Sequence, residues 1–312
     1  MGYSRDAIMS AEPLGKIWPA IFFGHGNPMN AIQHNNYTEA WRMLGLSLGK
    51  PRAIIMISAH WFVPEVAVTI NIAPSTIHDF GGFPHELFQV QYPALGDPEL
   101  ARRVQQLLTP VSVKLDDTWG LDHGTWSVLR HVYPAADVPV IQLSVDASQP
   151  AAFHYELGQK LAPLRREGIV IAGSGNLVHN LHTYAWGKHT TQPYDWATRF
   201  EHTVRAALLA DNHQLLINYE WLGADAVLSV PTPEHYLPLL YIIGTQQPDD
   251  KITFPVEGVD GGSISMLTMQ LGAVHSRQKR LTLMGSSISH NEHATSSLKA
   301  APGNDRQPLP LR

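Results

Sequence analysis

Seven residues, Arg52-Ala53-Ile54-Ile55-Met56-Ile57-Ser58, restrict the architecture of this chain more than any other stretch. Successive side chains of a strand point to opposite faces, so a near-continuous apolar run leaves neither face fit for water. Such a strand belongs inside a sheet with helices packed on each side. Other segments fit the same layering. Residues 20–23, 66–70, 138–143 and 168–172 read as further strands, and 263–271 as a last one. Between them, residues 37–46 set Trp41, Leu44 and Leu48 at helical spacing. Asp97 and Pro98 open a second helix as N-cap and first-turn proline, with Leu100, Val104, Leu107 and Leu108 on its apolar face. Residues 153–164, 195–209 and 235–243 complete the helices. The expected fold is α/β, a single domain with a central mostly parallel mixed sheet and helices on both faces.

Length and composition agree with one large core. The chain has 312 residues, 44% hydrophobic and 16% charged, with no internal repeat. Residues 18–272 are expected to form the domain, 1–17 a flexible N-terminal segment and 273–312 a flexible polar tail. The net charge of -5 and the lack of a basic block argue against nucleic acid as a partner. Residues 1–16 hold no apolar leader and no run reaches the ~18 residues of a membrane span, so a cytoplasmic location is expected. Nothing in the sequence sets an oligomeric state. Cysteine is absent, which removes disulfides, thiolate nucleophiles and sulfur-ligated metal sites. Any metal must be held by nitrogen and oxygen.

Five histidines lie inside short motifs punctuated by glycine, proline or tryptophan. His25 stands in Gly24-His25-Gly26-Asn27-Pro28 and His60 in Ser58-Ala59-His60-Trp61, each after an apolar run. Ligands of open α/β sheets bind beyond the carboxyl ends of strands, so neighbouring strands would aim both rings into one crevice. His235 follows Pro231-Thr232-Pro233-Glu234 at an expected helix start. Two histidines and Glu234 would make a facial triad suited to Fe(II), whereas three or four histidines suit Zn²⁺. Glu234 doubles as an ordinary helix N-terminal charge. His179 follows the Gly173-Ser174-Gly175 turn and is read as an acid/base or a fourth ligand. His123 is a substrate-contacting or proton-donating candidate, and Asp122 before it fits a helix cap. The loop of residues 76–84, with His78 as a candidate substrate contact, reads as an ordered cover over the site. No phosphate-binding glycine loop and no Gly-x-Ser-x-Gly elbow is present.

Taken in order, the motifs at 24–28, 58–61, 76–84, 121–124, 174–180 and 231–238 resemble those of the class III extradiol ring-cleavage dioxygenases, in the bacterial branch of 4,5-DOPA dioxygenase extradiol-like proteins. The resemblance implies metal binding by His25, His60 and His235, acid/base action or metal approach by His179, and contact of His123 with substrate and oxygen. Some relatives use a glutamate as third ligand, which leaves Glu234 and His235 both open. The implied reaction opens a catechol such as DOPA with O₂, on Fe(II), to a semialdehyde, and Zn²⁺ is the other ion such a site accepts. A zinc-dependent hydrolase, or a non-catalytic metal-binding interaction protein on the same fold, is the alternative.

Overall fold

The computed structural model describes residues 17–187 and 192–272. The segments expected to be flexible, 1–17 and 273–312, lie outside the described residues except for Ile17. The strands are β1 (Ala20–Gly24), β2 (Ala53–Val63), β3 (Val66–Thr69), β4 (Val113–Asp116), β5 (Val140–Asp146), β6 (Ile169–Gly175), β7 (Ile252–Val256), β8 (Val259–Asp260), β9 (Ile264–Ser265) and β10 (Thr268–Leu271). The helices are α1 (Asn36–Leu48), α2 (His85–Phe88), α3 (Pro98–Leu107), α4 (His123–Val132), α5 (Ala151–Leu161), α6 (Asp195–Leu209), α7 (His213–Ile217), α8 (Ala224–Ser229) and α9 (Leu237–Gly244).

Eight strands form one sheet in the order β4-β3-β5-β2-β6-β1-β10-β7. Its centre, β5-β2-β6-β1, is parallel, while β3 and β10 join antiparallel on either side. The apolar run of β2 divides as its alternation requires. Ile55 and Ile57 pack in one core with residues of α3, α5, α6 and α9, and Ile54 and Met56 in another with residues of α1 and α4. A sheet covered on both faces is the result.

Local chemistry sets the helix starts. Asp97 accepts a hydrogen bond from the Leu100 N–H with Pro98 at the first position, and Asp122 accepts from Thr125 N–H at the head of α4. Two expectations shift. The helix expected from His235 begins at Leu237, because the Pro233 carbonyl accepts from both Tyr236 and Leu237 N–H and makes 233–236 a turn. The last strand divides into β9, paired with β8, and β10, which joins the main sheet. Between them the Met266 N–H bonds to the Gly258 carbonyl, and the chain passes over Gly24 so closely that a side chain there would strike the Met266 backbone.

At the opposite end of the sheet, the fully buried guanidinium of Arg165 binds the carbonyls of Trp18, Thr245 and Leu271 and both carboxylate oxygens of Asp250. Burying a charge is tolerable when it is paired and its donors are all used, as here.

Candidate metal centre and cavity

His25 follows the last residue of β1, and its own N–H extends the ladder to the Gly175 carbonyl at 3.1 Å. His60 lies in β2, but the strand departs from regular pairing there. Ile57 faces Leu143 of β5 and the next match is Phe62 with Val145. The extra residues bulge at 58–61 and lift His60 out of the ladder. β1 and β2 are not neighbours, contrary to the simplest expectation. β6 runs between them. The two rings still meet beyond the end of β6, with His25 Nε2 and His60 Nε2 3.2 Å apart. At Gly175, in the last position of β6, a Cβ would lie 2.1 Å from the His235 carbonyl oxygen, so only glycine admits the 233–236 turn.

The hydrogen bonds determine where the imidazole protons sit. Ser174 Oγ donates to the Gly124 carbonyl at 2.6 Å, so it must accept from His25 Nδ1 at 2.9 Å. Asp79 Oδ2 faces His60 Nδ1 at 3.2 Å, and Glu234 Oε1 faces His235 Nδ1 at 3.1 Å. A carboxylate only accepts, so these nitrogens carry the protons. In the neutral rings all three Nε2 atoms are then bare. His25 Nε2 and His60 Nε2 stand 3.2 Å apart, and His235 Nε2 is buried with no partner. His25, His60 and His235 each offer one ligand atom, all within 4.8 Å of one another. Lone pairs so gathered repel unless a cation lies between them. A separation of 3.2 Å is also the edge expected of two nitrogens ~2.0–2.1 Å from one ion. The set therefore fits a divalent metal, with each ring oriented by an acceptor on its far nitrogen. Glu234 accepts from Thr232 Oγ1 at 2.8 Å as well as facing His235.

His179 stacks flat on His235, ring centroids 3.5 Å apart and planes 7° from parallel. The His179 backbone N–H donates to the Ser229 carbonyl. His123, first residue of α4, packs 3.8 Å from the His60 ring, and its backbone N–H bonds to Asp79 Oδ1 at 2.9 Å. Its Nδ1 lies 3.0 Å from the same oxygen, off the line of a hydrogen bond. Beneath them, Asp122 accepts from Ser58 Oγ at 2.7 Å and Gln142 Nε2 at 2.6 Å.

Burial, reinforced by neighbouring imidazoles, holds His25 and His235 well below the ordinary histidine range. It takes His179 down to about 4. Burial and His60 lower His123. His60 goes the other way: burial opposes its charge, but Asp79, Asp122 and Glu234 outweigh it. Burial likewise disfavours the Asp79 anion, and His123 and His60 reverse this to hold it well below the usual carboxylate range.

A cavity of about 320 Å³ opens beside these groups. His25, His60, His123, His179, His235 and Asp79 make its polar end, and Phe80, Phe83, Leu181, Tyr184, Trp186 and Ile264 its apolar side. Its size is at the small end of ligand pockets. His78 is not part of the lining. Its Nε2 is tied to the Val90 carbonyl at 3.0 Å, among Phe80, Phe88 and Trp126. Asp79 and Phe80, the next two residues of the loop, face the cavity instead. Sequence reasoning passed over Asp79, although a carboxylate beside a Gly81-Gly82 turn was a visible signal. The 181–186 wall carries no periodicity that marks it.

A family model described as the catalytic LigB subunit of aromatic ring-opening dioxygenase matches residues 26–267. A protein of Escherichia coli (strain K12) named 4,5-DOPA dioxygenase extradiol is 50% identical over 273 residues, 86% of this chain and 98% of its own. One of the same name from Beta vulgaris is 39% identical over 252 residues, 78% of this chain and 93% of its own. A crystal structure of an uncharacterized Escherichia coli K12 protein matches with a TM-score of 0.72 at 47% identity, covering 82% of this chain and all of that one.

Proposed function

This chain belongs to the LigB family of aromatic ring-opening dioxygenases, within the class III extradiol superfamily, and we propose that its reaction is the 4,5-cleavage of DOPA or a related catechol by O₂ on a metal held by His25, His60 and His235. The observation that carries this is the convergence of three bare Nε2 atoms, one of them buried without a partner, at the polar end of a cavity with aromatic walls. The proposed ion is Fe(II), which when bound would acidify a catechol hydroxyl and hold catechol and O₂ side by side. Glu234 is then the outer partner of His235 rather than a ligand itself.

The chain's own groups supply the rest. His179, which burial keeps neutral at working pH, would accept a proton from a catechol hydroxyl. The proton His179 takes up is the one to be returned to the opening ring, by His179 itself or by way of His123, which lies beside His60. Phe80 and Tyr184 flank the space for the aromatic ring, and the apolar side limits water around it. Substrate and O₂ are the partners this requires. Among the described residues no helix is long and apolar enough to cross a membrane.

The test is anaerobic loading of metal-free protein with Fe(II), then addition of DOPA and O₂. Stoichiometric oxygen uptake with a yellow ring-opened product, not supported by Zn²⁺, is expected. Three imidazoles also suit zinc, so a zinc-dependent hydrolase is the second reading. Absence of uptake with DOPA and a panel of simple catechols would favour it.

A further inference from the structure

Asp79 is the one carboxylate in contact with two of the site's imidazoles among the described residues. Oδ2 faces His60 Nδ1 at 3.2 Å; Oδ1 faces His123 Nδ1 at 3.0 Å and accepts from the His123 backbone N–H at 2.9 Å. The two rings it joins differ in proposed role: His60 belongs to the His25, His60 and His235 set proposed to hold the metal, and His123 lies outside that set. We infer that Asp79 is a positioning residue that fixes both rings in the Nδ1–H form, so that one carboxylate sets a metal ligand and a proton-carrying histidine together.

In the neutral rings that a metal requires, the contacts with Asp79 decide which nitrogen holds the proton. A carboxylate oxygen 3.0–3.2 Å away repels an imidazole lone pair and attracts an N–H, even off the line of a hydrogen bond as at His123, so each Nδ1 facing Asp79 carries its hydrogen. His60 then turns a bare Nε2 toward His25 Nε2, and His123 is left with a bare Nε2 of its own, able to take a proton. The backbone contact matters as much as the side chains. It ties Asp79 to the first residue of α4, so ring and helix end move as one. Ser58 and Asp122 support the arrangement from below: the His60 N–H meets Ser58 Oγ at 3.3 Å, and that hydroxyl bonds to Asp122. Asp79 also precedes Phe80 and Phe83, which line the cavity. A ring seated against Phe80 therefore presses on the same short loop that orients the metal ligand.

Asparagine cannot reproduce this. It has the same shape but one acceptor and one N–H₂. The His123 backbone N–H needs an acceptor at the Oδ1 position, so the amide oxygen takes that place and the N–H₂ faces the His60 Nδ1–H. That ring must move its proton to Nε2, and this removes the lone pair the metal needs.

The inference rests on His25, His60 and His235 binding metal, so the probe is the metal alone, without substrate. Metal-free wild type, Asp79→Asn and Asp79→Glu are titrated with Co²⁺, following its visible absorption. Outer-shell partners typically change metal affinity by about 10- to 100-fold. Asp79→Asn is expected to lose that much and to shift the Co²⁺ spectrum, with partial recovery in Asp79→Glu. A second measurement needs no variant. Long-range ¹H–¹⁵N spectra of Zn²⁺-loaded wild type should show His60 and His123 protonated at Nδ1. His123 protonated at Nε2 alone, or Asp79→Asn binding Co²⁺ within threefold of wild type with an unchanged spectrum, overturns the inference. Wild type that binds no Co²⁺ overturns it together with the proposed metal site. Wild type that binds Co²⁺ but consumes no O₂ with Fe(II) and catechols bears on the proposed reaction alone.

Discussion

Gly175→Ala adds one methyl group at the most crowded point of the candidate metal centre. The new Cβ would sit 2.1 Å from the His235 carbonyl oxygen and 3.0 Å from its carbonyl carbon. Ordinary contact begins near 3.4 Å, so the backbone of His235 must retreat by more than 1 Å. It cannot do so freely, since the same carbonyl accepts from the Asn176 N–H at 2.9 Å and the ring stacks on His179. Overpacking of this kind costs about 1–3 kcal/mol, roughly 2–10 °C in Tm for a domain of this size. Displacing a catalytic group by ~1 Å costs about 100-fold in rate, and a loss of about 10- to 100-fold in metal affinity is expected with it. Two neighbours calibrate the effect. A Cβ at Gly124 would meet side-chain atoms, Ser58 Oγ at 2.7 Å and His60 Cδ2 at 2.8 Å, so Gly124→Ala should be milder on stability but still perturb His60. Gly81 has open space around its Cβ position, so Gly81→Ala should leave metal binding unchanged. Thermal unfolding of the metal-free proteins and metal titration of each read these effects. Wild-type affinity and Tm in Gly175→Ala would refute the reasoning that the β6 terminus holds His235 in place.

Three further outcomes follow from the same geometry. His25→Ala should abolish metal retention, whereas His179→Ala should keep part of the metal while losing about 10²- to 10⁴-fold in turnover; metal analysis beside oxygen uptake separates them, and full activity in His179→Ala sinks its assigned role. His154, buried in the core with Nδ1 on the Tyr241 hydroxyl at 3.1 Å, is lowered to about 4 by burial. The unfolded chain binds the extra proton first, so stability is retained above pH ~6.5 and lost as pH falls toward ~4, by roughly 2–4 kcal/mol from this residue; denaturant unfolding between pH 7 and 4.5 should show a shallower loss in His154→Phe. Arg165→Met leaves Asp250 buried without its cation and should cost about 3–5 kcal/mol, seen as a lowered denaturation midpoint.

The layered fold was legible because β2 is apolar on both faces, and no solvent-exposed strand could carry Ile54 to Ile57. The helix starts at Asp97 and Asp122 were legible because capping is local chemistry. The five histidines drew notice through their motifs, and the structure sets all of them around one cavity. What escaped was non-local. No feature of residues 58–61 announces a bulge, which depends on the register β2 keeps with β5. The placing of β6 between β1 and β2 depends on pairing across more than a hundred residues. Within the 76–84 loop, the choice between His78 and Asp79 is made by a backbone carbonyl from elsewhere, that of Val90.

The Arg165 clamp has a mechanical consequence. Ala20 pairs with Leu271 across the antiparallel β1 and β10, so the first and last strands of the domain have their outer ends side by side. Tension applied between residues 18 and 271 would peel that ladder open one rung at a time rather than shear it as a block. The guanidinium holds the carbonyls of both Trp18 and Leu271, so it stands ahead of the first rung. In a single-molecule pulling experiment it is the bolt that must give way before the zipper runs.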